Sequence, residues 1–286
     1  MHEFDFHEPA SVAEASRMLA DLGEDARLIA GGTALVLALR QRLLSPKHLV
    51  SLGRIDGLRG IAWNEAGGLR IGALTPHAEV AASPLLKLRY PMLADMAARM
   101  ANPQVRHQGT LGGNLCYADP ATDPPGCLLA LGAQVVLAGR SGERVLHIED
   151  FMVDYYTTAL EPDEVLTEIR LPPPPADGDG RYVRHLRTAA EHRPLLNLSI
   201  QVRRNGRHCT QARLVLGAST TIPVRLAKAE ACLQGRSLTA DLAAEAAHCG
   251  AAEIDPIDDS RGSAAYRREV AAVVLRRTLI DLFDLH

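Results

Sequence analysis

Two short glycine-rich segments carry the residue types and spacing suited to holding phosphate groups. Ala30-Gly31-Gly32-Thr33 follows a short apolar run, Arg27 to Ala30, and precedes a stretch rich in helix formers, Ala34 to Leu44. A glycine turn in that setting lets backbone N–H groups approach phosphate oxygens, because no Cβ intervenes and positive φ becomes accessible. The positive end of the following helix and the Thr33 hydroxyl would add to the attraction. A tight strand-to-helix turn with no ligand fits the same four residues. The second segment, Gln108-Gly109-Thr110-Leu111-Gly112-Gly113-Asn114-Leu115, is followed by Ala118-Asp119-Pro120-Ala121-Thr122-Asp123. Its N–H groups would serve phosphates, and the Asp123 carboxylate would serve the hydroxyls of a ribityl or ribose chain.

Neither segment is a common nucleotide motif. The first does not match G-x-G-x-x-G and has no acidic residue at the spacing a dinucleotide fold requires, which disfavours a Rossmann-type site. It also lacks the Gly-Lys-Ser/Thr ending of a P-loop.

The elements that must position these loops are legible in outline. After the first strand, turn and helix, apolar runs at His48 to Leu52 and Leu69 to Ala73 read as strands. Thr75-Pro76 has the form of an N-cap followed by a first-turn proline, which predicts a helix over Pro76 to Ala82. Apolar spacing predicts another over Pro91 to Met100. Asn102 to Pro125 reads as a long irregular stretch, of the kind that is functional or disordered. A helix over Gly126 to Leu131 and strands at Gln134 to Ala138, Val145 to Ile148 and Val165 to Leu171 follow. Pro172 to Gly180, four prolines and then Asp-Gly pairs, reads as a linker or exposed hairpin loop. Strands at Tyr182 to Arg187, Leu196 to Arg203 and Gln211 to Ala218, with a turn at Asn205-Gly206, predict a meander. Helices over Ala227 to Leu233, Thr239 to Cys249 and Ala264 to Leu282 would pack on it.

Composition narrows the function classes. The 286 residues are 47% hydrophobic and 23% charged, with a formal net charge of -3. Such a chain can bury a substantial core and has no electrostatic excess to draw it onto nucleic acid or an anionic membrane. The N-terminus shows no basic and apolar leader and no stretch is apolar enough to span a bilayer, so the expected location is cytoplasmic. The five cysteines, Cys116, Cys127, Cys209, Cys232 and Cys249, form no C-x-x-C pair, and the histidines fall at no metal-ligand spacing. A redox cofactor would be organic, with no metal site. Cys116, inside the second glycine segment, is expected to be a small packing residue.

Taken together, Ala-Gly-Gly-Thr near position 30 and Gly-Thr-Leu-Gly-Gly-Asn-Leu with Ala-Asp-Pro-Ala-Thr-Asp downstream resemble the FAD-binding medium subunits of the molybdenum hydroxylases, the family of carbon monoxide dehydrogenase and xanthine dehydrogenase. The resemblance continues through Ile71 to Thr75 and Leu160 to Leu166 and ends in Asp259 to Arg268. It implies an α+β fold: an FAD-binding PCMH-type, vanillyl-alcohol-oxidase-like domain over 1–175, in subdomains of about 1–56 and 57–175. A CO dehydrogenase flavoprotein C-terminal-like domain, a three-stranded antiparallel sheet with helices, would cover 176–286.

Carried over residue by residue, the resemblance implies that Leu28, Ile29, Ala30, Gly31, Gly32, Thr33, Ala34 and Leu35 wrap the pyrophosphate of FAD. Gly109, Thr110, Gly113 and Asn114 complete the cradle, Tyr117 and Asp123 lie along the cofactor, and Leu160 approaches the ring system. Ala34 stands where relatives often carry Asp or Glu. The stretch Leu186 to Pro194 replaces the family's usual basic segment, and Arg187 is the residue assigned to the flavin edge. The cysteine-rich insertion that carries an extra cluster in some relatives is lacking here, so FAD is the sole cofactor expected.

The implied function is that of an electron-transfer subunit. It would accept electrons from the [2Fe–2S] clusters of a small partner subunit, while a large molybdopterin subunit carries the substrate chemistry, and pass them to an external acceptor. No residue of this chain is then needed as a catalytic acid or base. A stand-alone FAD oxidase or dehydrogenase of the same fold would need a substrate pocket over the flavin and usually a larger cap domain. A cofactor-free assembly protein would have no use for the second glycine loop.

Overall fold

The computed structural model describes residues 3–65, 67–189 and 191–285. Met1 and His2 of the N-terminal reading and Ala190 of the Leu186 to Pro194 stretch lie outside them. The fold is α+β, and the chain forms two compact units that interleave in sequence. The first takes the N-terminal residues through Val80, Asn102–Asp119 and Gly132–Pro173; the second takes Ala81–Ala101, Pro120–Leu131 and everything from Pro174.

In the first unit, strands Asp5–His7 and Ala26–Ile29 flank His48–Ser51 in a parallel three-stranded sheet. The helix Val12–Leu22 makes the crossover, capped by Ser11, whose hydroxyl accepts from the Glu14 N–H at 3.2 Å. Ala15 and Leu19 of that helix pack with Val50, Leu52, Ile55, Leu58 and Val165. A second sheet, antiparallel, runs in the order Ile61–Asn64, Gly68–Gly72, Val165–Leu171, Gln134–Gly139, Gly142–His147. Its middle strand is apolar at most positions because both its faces are covered.

In the second unit, Gly178–His185, Leu196–Asn205 and His208–Gly217 form the expected antiparallel meander, with Val224–Arg225 and Arg236–Ser237 as short additional pairings. Strand periodicity sorts its side chains. Leu196, Leu198, Ile200 and Val202 join Leu214 and Leu216 in a core with the helices Ala227–Leu233, Ala240–Glu253 and Ala264–Leu282. Asn197 and Val215 point the other way, toward Gly126 of the helix Pro124–Ala130.

Four expectations are corrected. Asn102 to Pro125 is not irregular: it holds the helices Pro103–Gln108 and Leu111–Tyr117 and the start of a third. Asn102 and Thr110 cap the first two, accepting from the N–H groups of Val105 at 2.9 Å and Gly113 at 3.2 Å. Glycines that lower helix propensity hid the second helix, yet Gly112 is required inside it, since a Cβ there would lie 2.6 Å from the Ala73 Cβ. The helix expected over Ala34 to Leu44 is shorter, Leu35–Arg40, and ends before Arg42 at φ 59. The linker is also shorter, because Gly178 already pairs with Arg203 and Gly180 with Gln201. Finally, the Thr75 hydroxyl does not cap a helix: it accepts from the Gly60 N–H and donates to the Gly60 carbonyl. Pro76 instead bridges Thr110, and the helix begins at His77.

Candidate functional site

The first glycine loop joins the strand Ala26–Ile29 to the helix Leu35–Arg40. Gly32 has φ 69, a conformation side chains disfavour. Ala34 occupies the helix cap position without a side-chain cap hydrogen bond, the consequence of lacking a carboxylate there. The Gly32 carbonyl accepts from Val36 at 2.9 Å, while the amides of Gly31, Gly32, Thr33 and Ala34 donate to no acceptor among the described residues. Four successive unengaged donors on a Cβ-poor turn match the needs of a phosphate-bearing ligand.

The second loop lies directly against the first. A Cβ on Gly31 would stand 2.0 Å from the Gln108 carbonyl oxygen and 2.9 Å from the Gly109 Cα. One on Gly109 would stand 3.1 Å from the Thr33 Oγ1, and one on Gly113 would stand 3.5 Å from the Ala30 Cβ. Glycine is needed here because two backbones touch.

Most amides of the second loop are engaged within the protein. The Gly109 amide donates to Val105, Leu111 to Thr75, Gly112 to Ala73 and Asn114 to Thr110, while the Gly113 amide meets the Thr110 hydroxyl. These amides are committed to the protein, whereas the Thr110 amide, like those of the first loop, donates to no acceptor among the described residues. The distinction cannot be made from glycine content alone.

Other candidates also fall in the first unit. Tyr117 ends the helix Leu111–Tyr117 and packs edge-on against Tyr156, ring centroids 5.4 Å apart, and Tyr155 packs on Tyr156 in turn at 4.8 Å. Tyr155 and Tyr156 form the turn between strands Met152–Asp154 and Thr157–Thr158. Leu160 follows that hairpin, its N–H reaching the Thr158 hydroxyl at 3.4 Å. Leu28 and Ile29 lie in the strand before the first loop, half-buried. Cys116 sits in the second-loop helix with its thiol desolvated, which pushes it up to about 12 and disfavours the reactive thiolate.

Asp123 and Arg187 belong to the second unit. Asp123 is buried, and its carboxylate accepts from the Tyr182 hydroxyl, the Arg184 Nε at 3.2 Å and the Asn197 amide at 3.3 Å. Desolvation pushes this carboxyl above its ordinary value, against the opposing pull of Arg184, Tyr182 and Asn197. Arg187 is engaged locally, pairing with Glu191 and donating to the Ser260 carbonyl at 3.2 Å. The Asp259 to Arg268 motif has a structural role: Arg267 is fully buried and donates to Asp259 and to the Leu195 and Ala218 carbonyls, and Asp259 also receives Arg261.

One residue was missed from sequence. His77 is 2% exposed, its N–H donates to the Gly109 carbonyl at 3.1 Å, and its Cδ2 would meet a Gly109 Cβ at 3.4 Å. Burial lowers its pKa to about 4, and its Nδ1 has no hydrogen-bond partner in the protein. No spacing signal marks it, because the contact with Gly109 is purely tertiary. The unfolded chain takes up a proton near the ordinary histidine value, while the folded one resists until about pH 4. The stabilisation is therefore complete above the unfolded pKa and is lost as pH falls from there toward 4, a difference of about 3 kcal/mol. Urea titrations across that window should show this loss, and His77→Gln should flatten it; an unchanged acid slope in the variant would remove His77 as its source.

Two touching glycine loops at the end of a small parallel sheet, beside a five-stranded antiparallel sheet, define an α+β dinucleotide-binding protein. Comparison with known proteins makes the class specific. Residues 2–174 match the FAD binding domain in molybdopterin dehydrogenase, and residues 181–282 match the CO dehydrogenase flavoprotein C-terminal domain. The chain is 34% identical to the carbon monoxide dehydrogenase medium chain of Hydrogenophaga pseudoflava over 276 residues, 96% of each chain. It is 35% identical to the 6-hydroxypseudooxynicotine dehydrogenase complex subunit alpha of Paenarthrobacter nicotinovorans, over 96% of this chain and 93% of that one. A solved structure of carbon monoxide dehydrogenase from Hydrogenophaga pseudoflava superposes with a TM-score of 0.95, covering 99% of this chain and 98% of that one. The chain belongs to the FAD-binding medium subunits of the molybdenum hydroxylases: it is a flavoprotein subunit of an oxidoreductase, and FAD is its cofactor. Among the described residues no helix is long and apolar enough to cross a membrane.

Proposed function

We propose that this chain relays electrons within a cytoplasmic hetero-oligomer, from the [2Fe–2S] clusters of a small partner subunit to an external acceptor. A large molybdopterin subunit would carry the substrate chemistry. The observation that carries the reading is the contact between Gly31 and Gln108, which joins a loop of four unengaged amides to a second, rigid glycine loop. FAD supplies a carrier able to take electrons singly or in pairs, which couples one-electron and two-electron partners. The protein's task is then to bind and orient it.

On this reading the amides of Gly31 to Ala34 and the Thr33 hydroxyl hold the pyrophosphate, flanked by Leu28, Ile29, Ala30 and Leu35. Gly109, Thr110, Gly113 and Asn114 form the opposing wall, and Tyr117 and Leu160 supply apolar surface; Asp123 and Arg187 are assigned to the cofactor on the family resemblance alone. In sequence, the boundary between the two family domains is placed at 175/176, although the compact units interleave across it. Relatives of similar sequence include subunits of enzymes named for carbon monoxide and for 6-hydroxypseudooxynicotine, which supports placing the choice of substrate in another subunit.

The direct test is the visible absorption spectrum of the purified chain before and after dithionite, with the released chromophore identified by chromatography. A flavin band that bleaches, with FAD released, is the expected result. A colourless protein that takes up no added FAD, with its partner subunits present, would overturn the proposal.

A further inference from the structure

Cys232 and Cys249 bring their sulfurs within 3.6 Å of each other, 17 positions apart in sequence. Cys232 lies on the helix Ala227–Leu233 and Cys249 on Ala240–Glu253. The approach is built into the packing: at Gly250, next to Cys249, a Cβ would stand 3.1 Å from the Leu226 Cδ1 and 3.3 Å from the Ala229 Cβ. A glycine there lets the helices close to a distance at which the two thiols meet. Both cysteines are half-buried, so a small reagent can reach them, whereas Cys127 and Cys209 are fully buried.

We propose that Cys232 and Cys249 are a modification site, a thiol pair that closes into a reversible intramolecular disulfide on contact with small disulfide oxidants. Closing needs the sulfurs to move together by roughly 1.5 Å, to the ordinary bond length of about 2.05 Å. One thiol loses its proton and attacks the oxidant, forming a mixed disulfide and releasing one thiolate. The second thiol loses its proton and displaces the other half of the oxidant. Two protein thiols are oxidised, one small disulfide is reduced to two thiols, and one S–S bond replaces another.

The surroundings set the pace. Burial and the neighbouring Cys249 raise the Cys232 thiol above its ordinary value, and Glu245 adds to this, while the Arg236 guanidinium favours the thiolate. Arg236 donates to the Cys232 carbonyl at 3.3 Å and pairs with Glu245 at 3.3 Å, so it is held beside the pair. Reaction is therefore slow at neutral pH and accelerates as pH rises. In a reducing compartment the dithiol is the resting form, and the bridge marks oxidising conditions. It would tie together two helices that cover the meander of the second unit. This inference is independent of the flavin reading.

The test uses the full-length protein incubated with oxidised glutathione at about pH 8.5, then alkylated in denaturant and weighed intact. The expected result is a fall from five alkylatable thiols to three, a peptide pair joining positions 232 and 249, and reversal by dithiothreitol. Cys249→Ser should instead accumulate a glutathione adduct on Cys232. Five thiols still open to alkylation, a lasting adduct on Cys232 in the unaltered protein, or a bridge to any other cysteine would overturn the proposal. The outcome should be the same in protein with and without bound FAD.

Discussion

Gly31→Ala should separate the two glycine loops and weaken flavin binding. The added carbon would lie 2.0 Å from the Gln108 carbonyl oxygen, and the atoms in the way are backbone, which cannot rotate aside. Overpacking typically costs about 1 to 3 kcal/mol, and a clash this close with backbone lies at the upper end. If that strain must be overcome to bring the loops together, FAD affinity falls roughly a hundredfold. The matched control is Gly53→Ala, where the nearest neighbour is the Ser51 hydroxyl at 3.4 Å and little should change. Fluorescence titration of FAD into both apoproteins is the measurement. Unaltered affinity in Gly31→Ala would show that the loop contact does not govern the cofactor, and the cradle would have to be relocated.

The second large effect is expected at Asp123. Its carboxylate is enclosed by Tyr182, Arg184 and Asn197, and the Arg184 side chain is only 7% exposed. Asp123→Ala would strand a buried guanidinium without a counter-charge, the circumstance in which a buried pair costs about 3 to 5 kcal/mol to break. The loss should be measurable in denaturant unfolding of the apoprotein, where flavin plays no part. An apoprotein midpoint equal to that of the unaltered chain would show that the network does not hold the second unit together. FAD titration of Asp123→Asn then asks the separate question of whether this residue also acts on the cofactor.

The two experiments separate two kinds of requirement. Gly31 is constrained by the space between backbones in the first unit, and Asp123 by the neutralisation of charge in the second. Sequence motifs display both as short strings of small and acidic residues, although the physical reasons differ. Arg267 extends the second case. It stands in the Asp259 to Arg268 motif, yet its guanidinium is wholly buried among the Leu195, Ala218 and Gly262 carbonyls and Asp259, which gives the motif a structural role.

What the sequence determined by itself was local and periodic. Alternation in Leu196 to Arg203 and Gln211 to Ala218 reports the strands of the meander, because residues two apart share a face. Apolar spacing in Pro91 to Met100 reports the helix Pro91–Arg99. The two glycine segments, with their downstream acidic string, were sufficient to suggest the family, since so few residue types permit a backbone to meet a phosphate closely.

Tertiary structure decided the rest. The helix Leu111–Tyr117 forms despite two glycines because Thr110 caps it and Gly112 fits against Ala73, a packing gain that propensity does not report. Which amides of the second loop are engaged was hidden for a related reason. An amide is available to a ligand only if no carbonyl has claimed it, and the claimants Thr75, Ala73 and Val105 are set by the fold. The contact of His77 with Gly109, the enclosure of Asp123 and the meeting of Cys232 with Cys249 likewise join positions that local patterns treat as unrelated. Likewise, the residues from Ala81 to Ala101 and from Pro120 to Leu131 join the later sheet although they precede the linker. Composition along a chain marks where it can bend, but compactness is decided by which apolar faces find each other in space.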